Sequence, residues 1–554
     1  MDDSKRMLLT GDEAVALAAY DSGVALGTGY PGTPSTEILE AFSHLGGRAQ
    51  WAPNEKVAAE VALGAAFAGA RALLTMKHVG LNVAADPLFT AAYTGVDGAL
   101  VLVSADDPGL ASSQNEQDNR HYAVAAAVPM LEPADAQEAY DFTAAAIALS
   151  ERWKIPVLLR MVTRVCHSKS VVTPRPLPRP SAPPHFEHDR TSRVMIPAYA
   201  RAAHRRLRAK LAEIAAWNET CDLNRVIAGD RSPGIIVSGT AFLHAREAAP
   251  NASFLKLGLT YPLPMGKIRA FAASMERCVV IEEGDPYLVE SIRAAGVPVE
   301  GKPEMYRFGE LNVPRVRRIL AGDTSSEAAP IPGKPPQLCP GCAHRSVFEV
   351  LRKLDCLVAG DIGCYTLGVL PPFTAMDTCV CMGASIGVGL GLRHVLPPAQ
   401  ARRVVSVIGD STFMHSGLTG LAEMIYNPPA TGHVLLILDN GTTAMTGQQE
   451  HPGTGRTLAH EPTGRISLEA VAQAMGVKHV DVIDPVLHPE RFESLVRERL
   501  AANALAVIVA RKPCVLAAGA IRGYERAARV AAEAPDAAPC AGCECQSATT
   551  ASPA

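Results

Sequence analysis

Val404-Val405-Ser406-Val407-Ile408-Gly409-Asp410-Ser411 is an apolar run that stops at a glycine, an aspartate and a serine. Thirty residues beyond Asp410 a second run, Val434–Leu438, stops at Asp439-Asn440-Gly441-Thr442. Short apolar runs bounded by turn residues read as buried strands of a parallel sheet, with the helix between them as crossover. Asp410 and Asn440 then stand at the carboxyl ends of such strands, where a doubly wound sheet holds its ligands. Two oxygen donors in that position suit a hard cation such as Mg²⁺ that also takes phosphate oxygens, and the flanking glycines let the backbone approach the phosphates.

The same alternation extends in both directions. Towards the C-terminus, Ala506–Ala510 adds a strand to this unit, which spans 326–515 after an Ala-, Pro- and Ser-rich connector at Thr324–Gln337. Towards the N-terminus, Pro233 opens a smaller α/β unit (191–325) with strands in Gly234–Gly239 and Cys278–Ile281, and the basic, alanine-rich stretch Ala198–Ala216 reads as a helix. Before it, Ala25–Thr28, Ala72–Met76 and Ala99–Ser104 each end in a glycine or polar turn, which makes 1–190 a further βα unit closed by the proline-rich stretch Thr173–Pro184. Residues 516–554 are rich in Ala and Pro and read as a flexible tail. The fold class is therefore α/β, with two doubly wound units and a smaller α/β unit between them.

Composition narrows the partners. The chain has 554 residues, 48% of them hydrophobic and 19% charged, enough for roughly three or four packed domains. Lys and Arg total 52 against 56 Asp and Glu, with no basic block, so neither nucleic acid nor an anionic membrane is expected. The start lacks the regions of a secretory signal, and no apolar stretch approaches the ~18–20 residues of a bilayer crossing, so the expected location is cytoplasmic. Thirteen cysteines in such a setting are metal ligands or core thiols before they are disulfides. Cys339-Pro340-Gly341-Cys342 could mark a thiol redox pair, half a zinc site or an iron–sulfur ligand pair. Glu55, after the Trp51–Asn54 turn, heads an expected helix Lys56–Ala70.

Gly409-Asp410-Ser411-Thr412-Phe413, His415-Ser416-Gly417 and Asp439-Asn440-Gly441-Thr442-Thr443-Ala444-Met445-Thr446-Gly447 resemble the indolepyruvate ferredoxin oxidoreductases, large subunit, a branch of the 2-oxoacid:ferredoxin oxidoreductases that use thiamine diphosphate. Ser411 departs from the general Gly-Asp-Gly signature. Tyr30-Pro31-Gly32-Thr33-Pro34-Ser35, Asn54-Glu55-Lys56-Val57-Ala58, Lys77-His78-Val79-Gly80-Leu81-Asn82, Ser112–Arg120 and Asp361-Ile362-Gly363-Cys364-Tyr365-Thr366 carry the same resemblance, over residues 8–516.

The resemblance implies pyrimidine-binding and diphosphate-binding domains around a transketolase C-terminal-like one. It implies that Pro34, Gly363, Tyr365, Gly383, Gly409, Asp410, Ser411, Asn440 and Thr442 line the thiamine diphosphate site, with Mg²⁺ on Asp410, Asn440 and Thr442. Glu55 would protonate the aminopyrimidine, with Glu60 as the alternative. Thr33 would reach the substrate, Arg120 would clamp its carboxylate and His78 would exchange protons. Cys339, Cys342, Cys364 and Cys514 match the ligands of one [4Fe–4S] cluster, while Cys166, Cys221, Cys278, Cys356, Cys379 and Cys381 read as packing residues. The usual ferredoxin-like domain is not expected, since Cys540, Cys543 and Cys545 supply only three thiols. The implied activity is oxidative decarboxylation of an aryl 2-oxo acid to an acyl-coenzyme A. The implied partners are a small β/γ-type subunit in an α2β2 assembly and ferredoxin or another acceptor. A non-oxidative thiamine decarboxylase or carboligase, and a catalytically silent assembly subunit, are the alternatives.

Overall fold

In a computed structural model of the chain, residues 6–328 and 333–533 are described. The apolar run ending at Gly409 is the strand Val404–Gly409, and its neighbour His433–Asp439 pairs with it in parallel. Both are buried along their whole length, as a strand covered on both faces requires. The sheet has five parallel strands in the order Leu357–Ala359, Val404–Gly409, His433–Asp439, Leu505–Arg511, His479–Ile483. Helices cover both faces, with Ala343–Lys353 and Pro489–Ala501 on one apolar cluster and Ala384–Val395 and Leu418–Tyr426 on the other.

The N-terminal sheet repeats this plan with seven strands. Leu26–Gly29, Ala49–Trp51, Arg71–Lys77, Ala99–Asp106 and Val157–Val162 run parallel, Met130–Leu131 extends them, and Leu259–Tyr261 closes the edge antiparallel. That last strand comes from the middle segment. The small sheet of the middle segment, with Asp230–Ser238 between Cys278–Ile281 and Ala252–Leu257, is therefore tied through its own chain to the first sheet. Leu257, Leu259, Val280 and Tyr287 join the core built on the first sheet.

The stretch read as a flexible tail is corrected in part. Ala518–Glu533 is a helix whose Ile521 is buried against the Gly441 turn, and whose Tyr524 stacks on His460 at 4.7 Å under the Arg456 guanidinium. An alanine-rich composition hid one anchoring face, because Ile521 and Tyr524 lie three residues apart on it. Among the described residues no helix is long and apolar enough to cross a membrane.

Candidate active site

At the end of Val404–Gly409 the chain turns into helix, and Phe413–Gly417 forms one π-helical turn before Leu418–Tyr426. Such widened turns displace side chains from the regular helical face, and they are common at functional sites. Here the turn delivers His415, whose Nε2 lies 2.7 Å from Glu55 Oε2. Its Nδ1 lies 2.6 Å from Ser416 Oγ, and its ring meets that of Tyr30 edge-on at 4.7 Å.

Glu55 opens the helix Glu55–Phe67, one residue earlier than the expected Lys56. Asn54 caps it by accepting from the Val57 N–H and donates to the His415 carbonyl. The Glu55 carboxyl is buried, and Gly80 leaves room for it, since a Cβ there would fall 2.5 Å from Oε1. Glu60, by contrast, pairs with Lys56 on the solvent face of the helix, which removes it as the alternative.

Asp410 and Asn440 meet where the sheet predicts. Asp410 Oδ1 accepts from the Ser411 N–H, Oδ2 accepts from the Gly441 N–H, and His451 Nε2 lies 3.3 Å from Oδ2. Burial alone would raise this carboxyl, but His451 and the two amides hold it below the ordinary carboxylate range. Asn440 Oδ1 accepts from the Thr442 N–H, and Thr442 Oγ1 donates to the Gln449 carbonyl. Ser411 Oγ joins Tyr30 and Thr443 hydroxyls, each at 2.8 Å. Tyr30, Asp410, Ser411, Asn440, Thr442 and Thr443, with Pro31, Gly363, Cys364, Tyr365, Gly409 and Met382, line one open cleft.

The glycines have a more specific role than leaving space for a phosphate. A Cβ on Gly363 or Gly409 would fall 2.3 or 2.7 Å from the buried Tyr365 ring, whose hydroxyl donates to the Ile362 carbonyl. Gly383, at φ +88°, packs on Ser416 and gives its N–H to Asp361, a buried carboxylate that also takes the Ile362 and Ser385 amides. Pro34 is buried and Thr33 half-buried in the turn whose Tyr30 and Pro31 line the cavity.

A second cleft adjoins the first. Cys339, Cys342, Cys364 and Cys514 all line it, and Cys364, Asn440 and Ala444 line both. Cys342 caps the helix Ala343–Lys353, Cys364 opens a 3₁₀ turn, and the Cys514 N–H donates to the Asn440 carbonyl. Burial, and then the neighbouring thiols, push Cys364 up to about 11. Among the described residues no three of these sulfurs gather within 4.8 Å of one another, whereas a tetrahedral zinc would hold thiolates about 3.8 Å apart.

Two assignments are corrected. Arg120 is fully buried and donates to Asp118, to Glu282 at 2.7 Å and to the carbonyls of Glu283 and Asp285. It binds the first unit to the middle one from a fully buried position, away from any substrate. Cys379 and Cys381 are exposed, not packed in a core. His78 is buried at the end of Arg71–Lys77 with Nε2 3.2 Å from the Asn115 carbonyl, and burial followed by the Lys77 charge lowers it to about 4, so it stays neutral. It lies two residues before the Gly80 that faces Glu55. Cys166, Cys221 and Cys278 are buried, and Cys540, Cys543 and Cys545 lie outside the described residues.

Residues 17–200 match the family model for the thiamine-diphosphate-binding region of pyruvate flavodoxin/ferredoxin oxidoreductases, and residues 361–510 match the C-terminal thiamine pyrophosphate-binding domain. The chain is 40% identical to the indolepyruvate oxidoreductase subunit IorA of Methanothermobacter thermautotrophicus, covering 94% of this chain and 89% of that one. It is 39% identical to the same subunit of Archaeoglobus fulgidus (93% and 87% covered) and 37% identical to that of Thermococcus kodakarensis (92% and 86%). Glu55 falls in the first matched region, and Asp410, Asn440 and His415 in the second. With this similarity over nearly its whole length, and both thiamine-binding domains in place, the chain belongs to the IorA family of indolepyruvate oxidoreductase subunits, within the 2-oxoacid:ferredoxin oxidoreductases.

Proposed function

We propose that the chain oxidatively decarboxylates an aryl 2-oxo acid, indolepyruvate, to its acyl-coenzyme A. In this reaction the 2-oxo acid, coenzyme A and two oxidised one-electron carriers give acyl-coenzyme A, CO₂, a proton and two reduced carriers. The observation that carries the reading is the shared wall of the two cavities, where Cys364 and Asn440 face both the diphosphate side and the four-cysteine side.

Thiamine diphosphate, when bound, supplies a carbon nucleophile and a sink for the electron pair left by departing CO₂. Asp410, the Asn440 amide oxygen and Thr442 are hard oxygen donors and would hold Mg²⁺ with the diphosphate. Glu55 holds the proton that the aminopyrimidine needs, and His415, fixed by Ser416, orients it. Tyr30 and Ser411 close the cavity between the two halves. Cys339, Cys342, Cys364 and Cys514 would ligate one [4Fe–4S] cluster, which passes single electrons. The IorA relatives are named as subunits, which supports a second chain; that this chain is smaller, in an α2β2 assembly with ferredoxin as the acceptor and in the cytoplasm, belongs to the same proposal.

Anaerobic purification with the second chain tests this. Thiamine and about four irons and four sulfides per chain are expected, with coenzyme A-dependent reduction of a viologen dye by indolepyruvate in preference to pyruvate or 2-oxoglutarate. Thiamine without iron, with aldehyde released in the absence of coenzyme A, would favour the non-oxidative decarboxylase. Absence of thiamine would leave the assembly role.

A further inference from the structure

Asp12 is a buried carboxyl whose neighbour is the Cys166 thiol, and neither of its oxygens makes a hydrogen bond of good geometry. It stands at the second position of the helix Gly11–Asp21, which Thr10 caps. The helix start is pressed onto the short helix Thr163–His167 without clearance, since a Cβ on Gly11 would fall 2.3 Å from the Val165 carbonyl oxygen. That approach sets the buried Cys166 thiol beside Asp12 and brings in His167 next to it. From the other side comes Glu37, in the first turn of Thr36–His44. One oxygen each of Asp12 and Glu37 and one ring nitrogen of His167 lie within 4.8 Å of one another, with His167 Nε2 4.0 Å from Glu37 Oε2. Among the described residues no Lys or Arg pairs with Asp12 or Glu37.

A buried carboxylate without a donor is expensive, so such a group is either kept neutral or given a cation. We propose that Asp12, Glu37 and His167 form a site for a divalent transition ion of the zinc class, completed by water on the exposed side. One imidazole with two carboxylates is a donor set that zinc accepts, while the imidazole disfavours Ca²⁺ and Mg²⁺. The Cys166 thiol stands beside Asp12 as a neighbour, outside the ligand set. The ion would pin three helices, one of which follows directly on the Tyr30–Ser35 turn of the active site.

The test uses the full-length chain, purified anaerobically with its iron retained, cleared of loose metal with a chelator and titrated with Zn²⁺ against a competing dye. The wild type should bind one more equivalent of zinc per chain than Asp12→Asn or His167→Gln, or bind it at least about tenfold tighter, with equal iron in all three. His167 is half exposed, so its variant reports on the ion even if Asp12→Asn disturbs packing. Equal zinc stoichiometry and affinity in the wild type and both variants would overturn the proposal.

Discussion

Glu55 and His415 are 360 residues apart in the chain and 2.7 Å apart in space. The first was singled out through the family resemblance, from its place after the Trp51–Asn54 turn at the head of a small-residue helix. The second was not, because a π-helical turn has no sequence period of its own and its partner lies in the other half of the molecule. Glu55→Gln should retain thiamine diphosphate, since an amide can still sit beside His415 and no diphosphate contact is touched. It should lose turnover by about 10²–10⁴-fold, since an amide does not protonate a ring nitrogen. Bound-thiamine analysis alongside C2 hydrogen exchange separates the two effects, and normal exchange in the variant would remove the role. Arg120 was misread because a guanidinium after a polar stretch looks free in sequence, whereas its acceptors, Glu282, Glu283 and Asp285, come from beyond residue 280.

At the scale of elements, strand ends decide where chemistry can happen, and here one ion network fixes two of them. Arg511, at the end of Leu505–Arg511, bonds Asp439 at 2.6 Å and Glu469 at 2.7 Å, which anchors the strand that delivers Asn440 to the helix Leu468–Ala474. The Arg511 guanidinium holds Glu469 at about 2 against an ordinary 4.5. Because the folded value is the lower one, the contribution to stability is complete above pH 4.5 and is lost as pH falls towards 2. Glu469→Gln should therefore melt about 1–3 °C below the wild type near neutrality, a modest gap because the pair is partly exposed. In scanning calorimetry that gap should close as pH falls below 4.5, and a gap constant with pH would exclude the charge pair as its source. Strand positions themselves were readable to within a residue or two, as Cys278–Ile281 shows, because buried parallel strands are continuous apolar runs. The Ala518–Glu533 helix was not, since its two anchoring side chains find their partners in distant loops.

For the whole molecule, a buried lattice of opposite charges lies beside the apolar seam between the first sheet and the middle segment. Arg160 bonds Asp106 and Glu132 within the first unit, and Arg120 bonds Asp118 there and Glu282 of the middle segment, all with almost no exposure, so Arg120 carries the ion pair between the two. Removing one member strands the others. Arg120→Ala should cost about 3–5 kcal/mol of stability, read as a lower denaturant midpoint, with KM for the 2-oxo acid unchanged in the folded fraction. Wild-type stability with a raised KM would restore Arg120 as a substrate clamp. The number of α/β units could be read from the alternation of strand and turn. The transfer of Leu259–Tyr261 to the first sheet could not, because a three-residue edge strand carries too little pattern to name its partner.

The segment 324–337, of which residues 329–332 are not described, joins the two thiamine-binding halves without helix or strand of its own in its described part, while the bonds between the halves run elsewhere: Tyr30 to Ser411, Asn54 to the His415 carbonyl, Glu55 to His415 and Glu40 to Gln449. The connector thus acts as a covalent tether that keeps the two halves at high local concentration. A protease cut there would break no bond of the active site, and each half would keep its own sheet and core. The same catalytic machinery could accordingly be encoded as two polypeptides, provided that their mutual affinity replaced the tether.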